Sequence, residues 1–297
     1  MDGSLGRFLS VWDVNAFIAV NLAAVAAWYW WAARRVSRRD VGARWPRWQA
    51  ACFGIGVLLL AVAYLGPLPA WSHVFFWAHM TQHLIVMMAA APLLVLGAPV
   101  TLAFRASSDR TRRRVVVPLL RSRAVRLLTN PILTWVLFAG VLLGAHFTGF
   151  YEWALGNHDA AMFVEQPLFL AAAFLYYFPL IGSNLQPRRP PHSVRLMSLA
   201  LMMIPEAIVG AVIYFASAVL YPTFAAERPF GLDPMGDQQL AGALMWALVM
   251  VVDSFWMMVA AAEWFASEER RGRRIDAEIA AETTPQSPAT ESSAAPG

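Results

Sequence analysis

The sequence contains a single cysteine and no lysine. With only Cys52 available, the chain cannot form an internal disulfide, and it carries no Cys-x-x-Cys motif for metal or redox chemistry. Charged residues make up 14% of the 297 residues, well below the roughly 25% that is usual for soluble domains. Because lysine is absent, all 23 basic residues are arginines, and their placement along the chain becomes the informative feature of the charge.

The chain is rich in apolar residues. Hydrophobic residues make up 59% of the chain and the mean hydropathy is +0.50, whereas soluble domains are about 45–50% apolar. Several apolar runs reach about 20 residues, enough to cross a ~30 Å hydrocarbon core. The sequence therefore predicts an all-α integral membrane protein. On such a protein a net charge of +4 gives no indication of a nucleic-acid partner.

Seven apolar segments define a predicted membrane domain over residues 1–268. Residues 97–130 are predicted to form a basic cytoplasmic loop with an interfacial helix, attracted to anionic lipid of the inner leaflet. Residues 269–297 are predicted to be a basic and then disordered cytoplasmic tail, with disorder beginning at about residue 275. The seven predicted transmembrane helices cover residues 13–33, 48–66, 74–96, 131–149, 162–182, 196–219 and 238–264.

Arginine placement predicts the orientation of these helices. Of the 23 arginines, 21 lie in one alternating set of loops and in the C-terminal tail, and the other set holds only Arg7 and Arg228. Cytoplasmic loops carry the excess of basic residues in membrane proteins. We therefore predict that the N-terminus lies outside and the C-terminus lies in the cytoplasm, which agrees with an odd number of spans.

Five of the six histidines then fall in the outer half of the membrane domain. His79 and His83 are four residues apart and share one face of a helix, and Gln82 and Met87 extend that face. Two imidazoles at this spacing can bind one metal ion when other helices complete the coordination shell. The candidate ligands besides these two are His146 and His158, with possible assistance from His73, Met80, Met87 and Asp237.

The donor types are compatible with more than one metal, and also with no metal at all. Imidazole with thioether suits Cu(I), and imidazole with carboxylate or water suits Cu(II) or Zn(II). Polar side chains in membrane helices also form interhelical hydrogen bonds, and for His79 and His83 both interpretations stay open. Two acids lie deeper, Glu206 and Asp253, where a carboxylate is costly unless it is protonated or paired. They predict a proton relay, a polar contact with the outer site, or neutral acids bonded to a neighbouring helix.

Several sequence blocks, in this order, resemble the CtaG family of caa3-type cytochrome c oxidase assembly factors. The resemblance extends from about residue 60 to residue 265. It implies a multi-pass protein of the bacterial plasma (inner) membrane that matures haem–copper oxidase through its copper centres, with oxidase subunits as partners. The matching blocks are "HMTQHLIVMMAAAPLLVLGAP", "HFTGFYEWAL", "FPLIG", "LYPTF" and "DPMGDQQLAGALMW".

The resemblance also carries individual residues over to this chain. It implies roles for His79, His83, His146 and His158, and for Asp237 together with Gln238. One position departs from the family pattern, because we expect family members to read Glu-His where this chain reads Glu165-Gln166. Glutamine is a poor copper ligand, so this position is either no ligand or an altered one. We assign Gln82, Glu165, Gln166 and Gln238 to a polar network around the candidate metal site.

The leading hypothesis is a copper-handling assembly factor without turnover chemistry, and therefore not an enzyme. A second hypothesis is a seven-helix zinc hydrolase that uses three histidines, an acid and an activated water. A third is a copper or proton-coupled transporter that uses Glu206 and Asp253. A fourth is haem ligation by His79 or His83.

Overall fold

The computed structural model describes residues 2–39, 44–157, 160–182, 185–186, 189–226 and 231–283. About 83% of the chain is helical, which agrees with the predicted helical membrane fold. Within these ranges, six helices are long and apolar enough to cross a membrane, and the shorter apolar helix Pro131–Phe147 has 17 residues. Each of the seven predicted segments is thus occupied by an apolar helix, and six of these have spanning length.

Sixteen α-helices are described, several of them joined by π-helical turns at Ile85–Ala90, Arg112–Val116, Ala161–Glu165 and Leu244–Leu248. The strands β1 (Asp13–Val14) and β2 (Leu65–Gly66) pair antiparallel. The helices are α1 (Asp2–Ser10), α2 (Ala16–Arg39), α3 (Arg47–Tyr64), α4 (Pro67–Trp71), α5 (Phe76–Leu84), α6 (Ala91–Leu96), α7 (Pro99–Ala106), α8 (Asp109–Thr111), α9 (Val117–Leu120), α10 (Arg123–Leu128), α11 (Pro131–Phe147), α12 (Phe150–Leu155), α13 (Gln166–Leu180), α14 (His192–Phe215), α15 (Pro234–Ala243) and α16 (Val249–Thr283).

The span that contains α5, α6 and α7 is the most buried of the long apolar helices. One side of it packs in a large core with α11, α13, α14 and α15, and the other side packs with α2 and α3. The helix breaks at Ala98, which adopts a left-handed φ of 50°. Tyr29 supports the break, because its buried hydroxyl donates to the carbonyl oxygen of Gly97 at 2.7 Å. This central span carries both histidines of interest.

Several helices begin at residues that satisfy the free N–H groups of the first turn. The Asn130 side chain accepts from the backbone N–H groups of Ile132 and Leu133 at the start of α11. Asp233 accepts from Gly236 at the start of α15. Both helices also have proline at their first position, where no N–H is needed. These local signals fix where α11 and α15 begin.

Two glycines let α14 and α15 approach closely. A Cβ atom at Gly242 would lie 2.6 Å from the backbone nitrogen of Tyr214. A Cβ atom at Gly210 would lie 2.9 Å from the backbone nitrogen of Trp246. Distances this short are not seen between real Cβ atoms and backbone, so only glycine fits at either position. The close contact holds α15, which also packs against α5, at a fixed height along α14.

The basic segment predicted at residues 97–130 contains the short helices α7 to α10. Val115, Leu119 and Leu127 are each more than half exposed there, on helices that also carry arginines. Exposed apolar side chains beside arginine are typical of helices that lie at a membrane surface. The interfacial location remains a prediction.

Residues 261–283 form a separate unit at the end of the described chain. They are helical to Thr283, beyond residue 275, where we predicted disorder to begin. The stretch is rich in alanine, glutamate and arginine, which favour helix. Glu269 and Arg273 also form an ion pair across one turn at 3.0 Å. These local preferences extend the helix without any apolar core.

Candidate metal centre

Two histidines and a glutamate converge inside the helical core. His79 and His83 lie on α5, and Glu165 ends the π-helical turn before α13. Their ligand atoms all lie within 4.8 Å of one another, and all three residues are buried. The Nε2 atom of each imidazole lies 3.4 Å from Oε1 of Glu165. Among the described residues, this is the group of three whose side chains could hold a metal ion.

The two imidazoles also contact each other directly. The Nε2 atoms of His79 and His83 are 2.7 Å apart, so one must donate its proton to the lone pair of the other. The Nδ1 atoms of both rings and both carboxylate oxygens of Glu165 are buried without a hydrogen-bond partner among the described residues. Buried polar atoms are nearly always paired in proteins. The cluster therefore has unused capacity for a ligand.

The separations fit the coordination shell of a small metal ion. Metal–nitrogen bonds of about 2.0–2.1 Å at a tetrahedral centre place two ligand atoms roughly 3.3 Å apart. The two distances from Glu165 are already 3.4 Å. The contact between the two Nε2 atoms must widen by about 0.6 Å, which a small rotation of either ring supplies. Two imidazoles and a carboxylate form a donor set that suits Cu(II) or Zn(II).

Aromatic rings enclose the cluster. Tyr151 on α12 lies between three histidines, with ring centroids 5.0 Å from His79, 6.2 Å from His83 and 5.2 Å from His146. Phe169 packs edge-on against His83 at 4.5 Å. These rings hold the imidazoles in place and exclude bulk water. Sequence reasoning did not single out Tyr151, although it lies within the "HFTGFYEWAL" block.

Asp237, a predicted assisting ligand, interacts with the backbone of α5. Its two carboxylate oxygens accept from the N–H groups of Phe76 at 2.7 Å and Trp77 at 2.9 Å. Those N–H groups belong to the first turn of α5, which has no capping side chain of its own. A buried carboxylate from α15 thus replaces the missing cap. It positions the helix that presents His79 and His83.

Two glutamines of the predicted polar network also bond to backbone. Gln82 donates to the carbonyl oxygen of Ala63 at 2.9 Å, which ties α5 to α3. Gln238 accepts from the N–H of Leu220 at 2.7 Å and donates to the carbonyl oxygen of Ala218 at 3.1 Å. Both side chains are buried. They fix the helices around the cluster, and the Oε1 atom of Gln82 has no hydrogen-bond partner among the described residues.

A cavity of about 50 Å³, which we call the vestibule, lies beside the cluster. Its lining includes His79 and Glu165 of the cluster, and also Asp13 and His73. Gln166, the position where we expected histidine, also lines the vestibule, and its Oε1 atom has no hydrogen-bond partner among the described residues. The vestibule therefore adjoins both the cluster and residues that precede α5.

His146 lies near the cluster but outside the group of converging ligand atoms. Its Nδ1 atom is 2.7 Å from the carbonyl oxygen of Leu142, so Nδ1 carries the proton and Nε2 keeps its lone pair. That Nε2 atom is buried without a hydrogen-bond partner among the described residues. His158, the fourth predicted ligand, lies outside the described residues.

A second cavity, of about 30 Å³, lies on the other side of His83. We call it the thioether cavity, because Met80, Met87, Met88 and Met245 line it together with His83, His146 and Glu206. Asp253, the second deep acid, is buried nearby in the core, and its Oδ1 atom lies 3.4 Å from the Tyr177 hydroxyl.

The sequence predicted that Glu165 belongs to the polar network around the metal site. In the structure, Glu165 is part of the cluster itself. Its side chain has no solvent exposure. One sequence signal pointed to it, because an ionisable residue inside an apolar span is by default a functional candidate. The helical pattern of one span could not show that Glu165 faces His79 and His83 on another.

Comparisons with known proteins agree with this architecture. The model of the cytochrome c oxidase caa3 assembly factor family, Caa3_CtaG, matches residues 27–267. Uncharacterized proteins of Mycobacterium bovis and Mycobacterium tuberculosis are each 27% identical over 281 residues. A protein of Mycobacterium leprae is 25% identical over 278 residues.

These alignments cover 92%, 92% and 91% of this chain and 42% of each relative, so the chain spans less than half the length of the curated relatives that it matches. No solved structure matches the chain. The family model covers most of the chain and includes every residue of the metal cluster and of the two cavities except Asp13, Asn15 and Ile18. The chain therefore belongs to the Caa3_CtaG family of cytochrome c oxidase caa3 assembly factors.

Proposed function

We propose that the protein is an assembly factor for haem–copper cytochrome c oxidase that holds copper at His79, His83 and Glu165. It acts in the bacterial plasma (inner) membrane, and its partners are oxidase subunits that receive the copper. Family membership supports the assembly role and a function without turnover. The cluster of two imidazoles and a carboxylate supports the copper site. The metal is cargo that the protein binds and releases.

The observation that carries the proposal is the burial of unpaired ligand atoms. Glu165 is fully buried with both oxygens free of hydrogen bonds among the described residues. Its nearest polar partners are the two imidazole Nε2 atoms, each 3.4 Å from Oε1. A buried carboxylate is strongly unfavourable unless it is paired with a cation or coordinates a metal. A metal ion between the three side chains would satisfy the carboxylate and both Nε2 atoms together.

We further propose seven membrane spans, with the N-terminus outside. The helix α11, with 17 residues, is about 25 Å long and lies at the lower limit for crossing the hydrocarbon core. A seventh crossing keeps the arginine-rich segments on one side, as the positive-inside rule requires. The vestibule then opens to the outer side, where copper would enter and where the receiving domain of an oxidase subunit could approach.

Copper binding by purified protein in detergent tests the site. After loading with Cu(II) and removal of excess metal, wild type should retain about one copper per chain. The variants His79→Ala/His83→Ala and Glu165→Gln should each weaken binding at least tenfold, because each removes ligand atoms from the cluster. Zn(II) is included as a competitor, since the same donors suit it.

A variant of a histidine outside the cluster separates the loss of the metal site from a general destabilisation of the protein. His192 lies at the start of α14, near Arg195, and takes no part in the cluster. His192→Ala should retain copper at the wild-type ratio. Equal copper retention by wild type and by His79→Ala/His83→Ala would overturn the site. In cells that lack the protein, the wild-type gene should restore copper content to the oxidase and the cluster variants should not.

A further inference from the structure

The thioether cavity combines soft donors with a fixed imidazole. Met80, Met87 and Met245 are each at most 5% exposed and line the cavity from two helical segments. Met88 also lines it, although its sulfur accepts a hydrogen bond from Tyr177 at 3.4 Å. His146 also lines the cavity, and its Nε2 atom is buried and unpaired among the described residues. Thioether and imidazole together form the donor set that selects Cu(I) over divalent ions.

Charge and size in the cavity fit one small cation. A cavity of about 30 Å³ holds a single ion or a single water. Glu206 lies on the wall, is 1% exposed, and has two oxygens without a hydrogen-bond partner among the described residues. A lone cation in an apolar interior needs a nearby counter-charge. Glu206 can supply it without direct coordination when it releases its proton as the ion binds.

His83 connects the cavity to the metal cluster. Its Nε2 atom faces His79 and Glu165, and its ring also lines the thioether cavity. Its Nδ1 atom is buried and unpaired among the described residues. Met80, His83 and Met87 follow each other at spacings of three and four residues, which places them on one face of the central helix. The thioether cavity therefore adjoins the cluster through His83.

We propose that the thioether cavity is a second metal subsite, selective for Cu(I), which adjoins the His79–His83–Glu165 cluster through His83. The subsite rests on the proposed copper function and extends it by a second binding position with softer ligands. Cu(I) enters and leaves this subsite in the same oxidation state, so no electron transfer is involved. Copper would thus be held in two steps between the vestibule and the interior.

Copper stoichiometry and X-ray absorption test this subsite. The experiment uses the full chain in a Cys52→Ala background, because Cys52 is a free thiol that also binds Cu(I). Loaded anaerobically with Cu(I), the protein should hold about two coppers and show sulfur in the copper coordination shell. Loaded with Cu(II), it should hold about one copper with nitrogen and oxygen ligands only.

Methionine variants identify the donors. Met80→Leu/Met87→Leu/Met245→Leu keeps the side-chain volume, and should lose one Cu(I) and the sulfur signal while retaining the other copper. Met197→Leu/Met250→Leu/Met258→Leu is the matched control, since these methionines are exposed and lie outside the cavity. It should keep both coppers and the sulfur signal.

Two further outcomes separate this inference from the proposed function. One Cu(I) per chain without sulfur ligands in the Cys52→Ala protein would overturn the second subsite and leave the cluster intact. Retention of one sulfur-bound Cu(I) by His79→Ala/Glu165→Gln, which keeps His83, would support the subsite even if the cluster failed its own test. Equal sulfur signals from both methionine triples would also overturn it, because Met80, Met87 and Met245 would then not be the sulfur ligands.

Discussion

Asp237 is a buried acid near the cluster, and a substitution there distinguishes a structural role from that of a metal ligand. We predict that Asp237→Ala destabilises the protein by removing the cap of α5. The carboxylate accepts from Phe76 and Trp77 at 2.7 and 2.9 Å and has no solvent exposure. In the alanine variant, the buried N–H of Phe76 and the partly buried N–H of Trp77 both lose their acceptor.

The expected loss follows from these two hydrogen bonds. Each buried donor left without a partner costs about 1–3 kcal/mol, so the variant should lose about 2–6 kcal/mol of folding free energy. At about 2–4 °C per kcal/mol for a chain of this size, the Tm should fall by roughly 4–24 °C. Asp237→Asn keeps one acceptor oxygen and should lose about half as much.

The single cysteine allows unfolding to be followed by thiol labelling. Cys52 is partly buried on α3, so a thiol-reactive fluorophore reports its exposure as the protein unfolds in detergent on heating. Asp233→Ala is the matched control, because Asp233 caps α15 at an exposed position with a single 3.3 Å bond. Loss of an exposed cap should cost only about 1 kcal/mol.

The reasoning fails if Asp237→Ala melts within 2 °C of wild type and yet loses its bound copper. That result would make Asp237 a ligand, as the sequence allowed, and would mean that the first turn of α5 needs no external acceptor. A large fall in Tm with copper binding retained below the new Tm would establish the capping role.

Two further predictions concern packing and ligands. Gly242→Ala should lower the Tm strongly, because the new Cβ atom would lie 2.6 Å from the Tyr214 backbone nitrogen. The control Gly140→Ala should not lower it, because nothing lies within 4 Å of a Cβ atom there. Equal Tm values for the two variants would contradict the close contact of α14 and α15. Gln166→His should tighten Cu(II) binding at least tenfold by adding an imidazole to the vestibule beside His79 and Glu165. Unchanged affinity measured by chelator competition would show that this position is no ligand.

Periodicity made the location of the helices and one face of the site predictable. Apolar runs located a helix in each of the seven predicted segments, because the membrane requires about 20 apolar residues per span. The spacing of His79 and His83 placed both imidazoles on one face of α5, where their Nε2 atoms lie 2.7 Å apart. Both results depend only on the geometry of a single helix.

Contacts between helices could not be predicted in the same way. Which acid faces the histidines depends on the rotation and height of other helices, and no pattern within one span encodes that. Glu165 and Asp237 both lie in apolar surroundings at helix starts, and the sequence favoured Asp237 as an assisting ligand. In the structure Glu165 lies 3.4 Å from both imidazoles, and Asp237 bonds to the backbone of α5. Close packing through Gly210 and Gly242 fixes the height of α15 that produces this arrangement.

The buried polar residues divide according to the atoms with which they bond. Asp237, Gln82 and Gln238 bond to backbone N–H or carbonyl groups, which stabilises the helix positions. Of these three, Gln82 keeps an Oε1 atom without a partner among the described residues. Glu165 and Glu206 have carboxylate oxygens without such partners among the described residues, and each lies against an imidazole-lined cavity. Glu165 lies 3.4 Å from two imidazoles. The position of both acids beside donors that suit copper favours binding as the reason that they lie in the membrane.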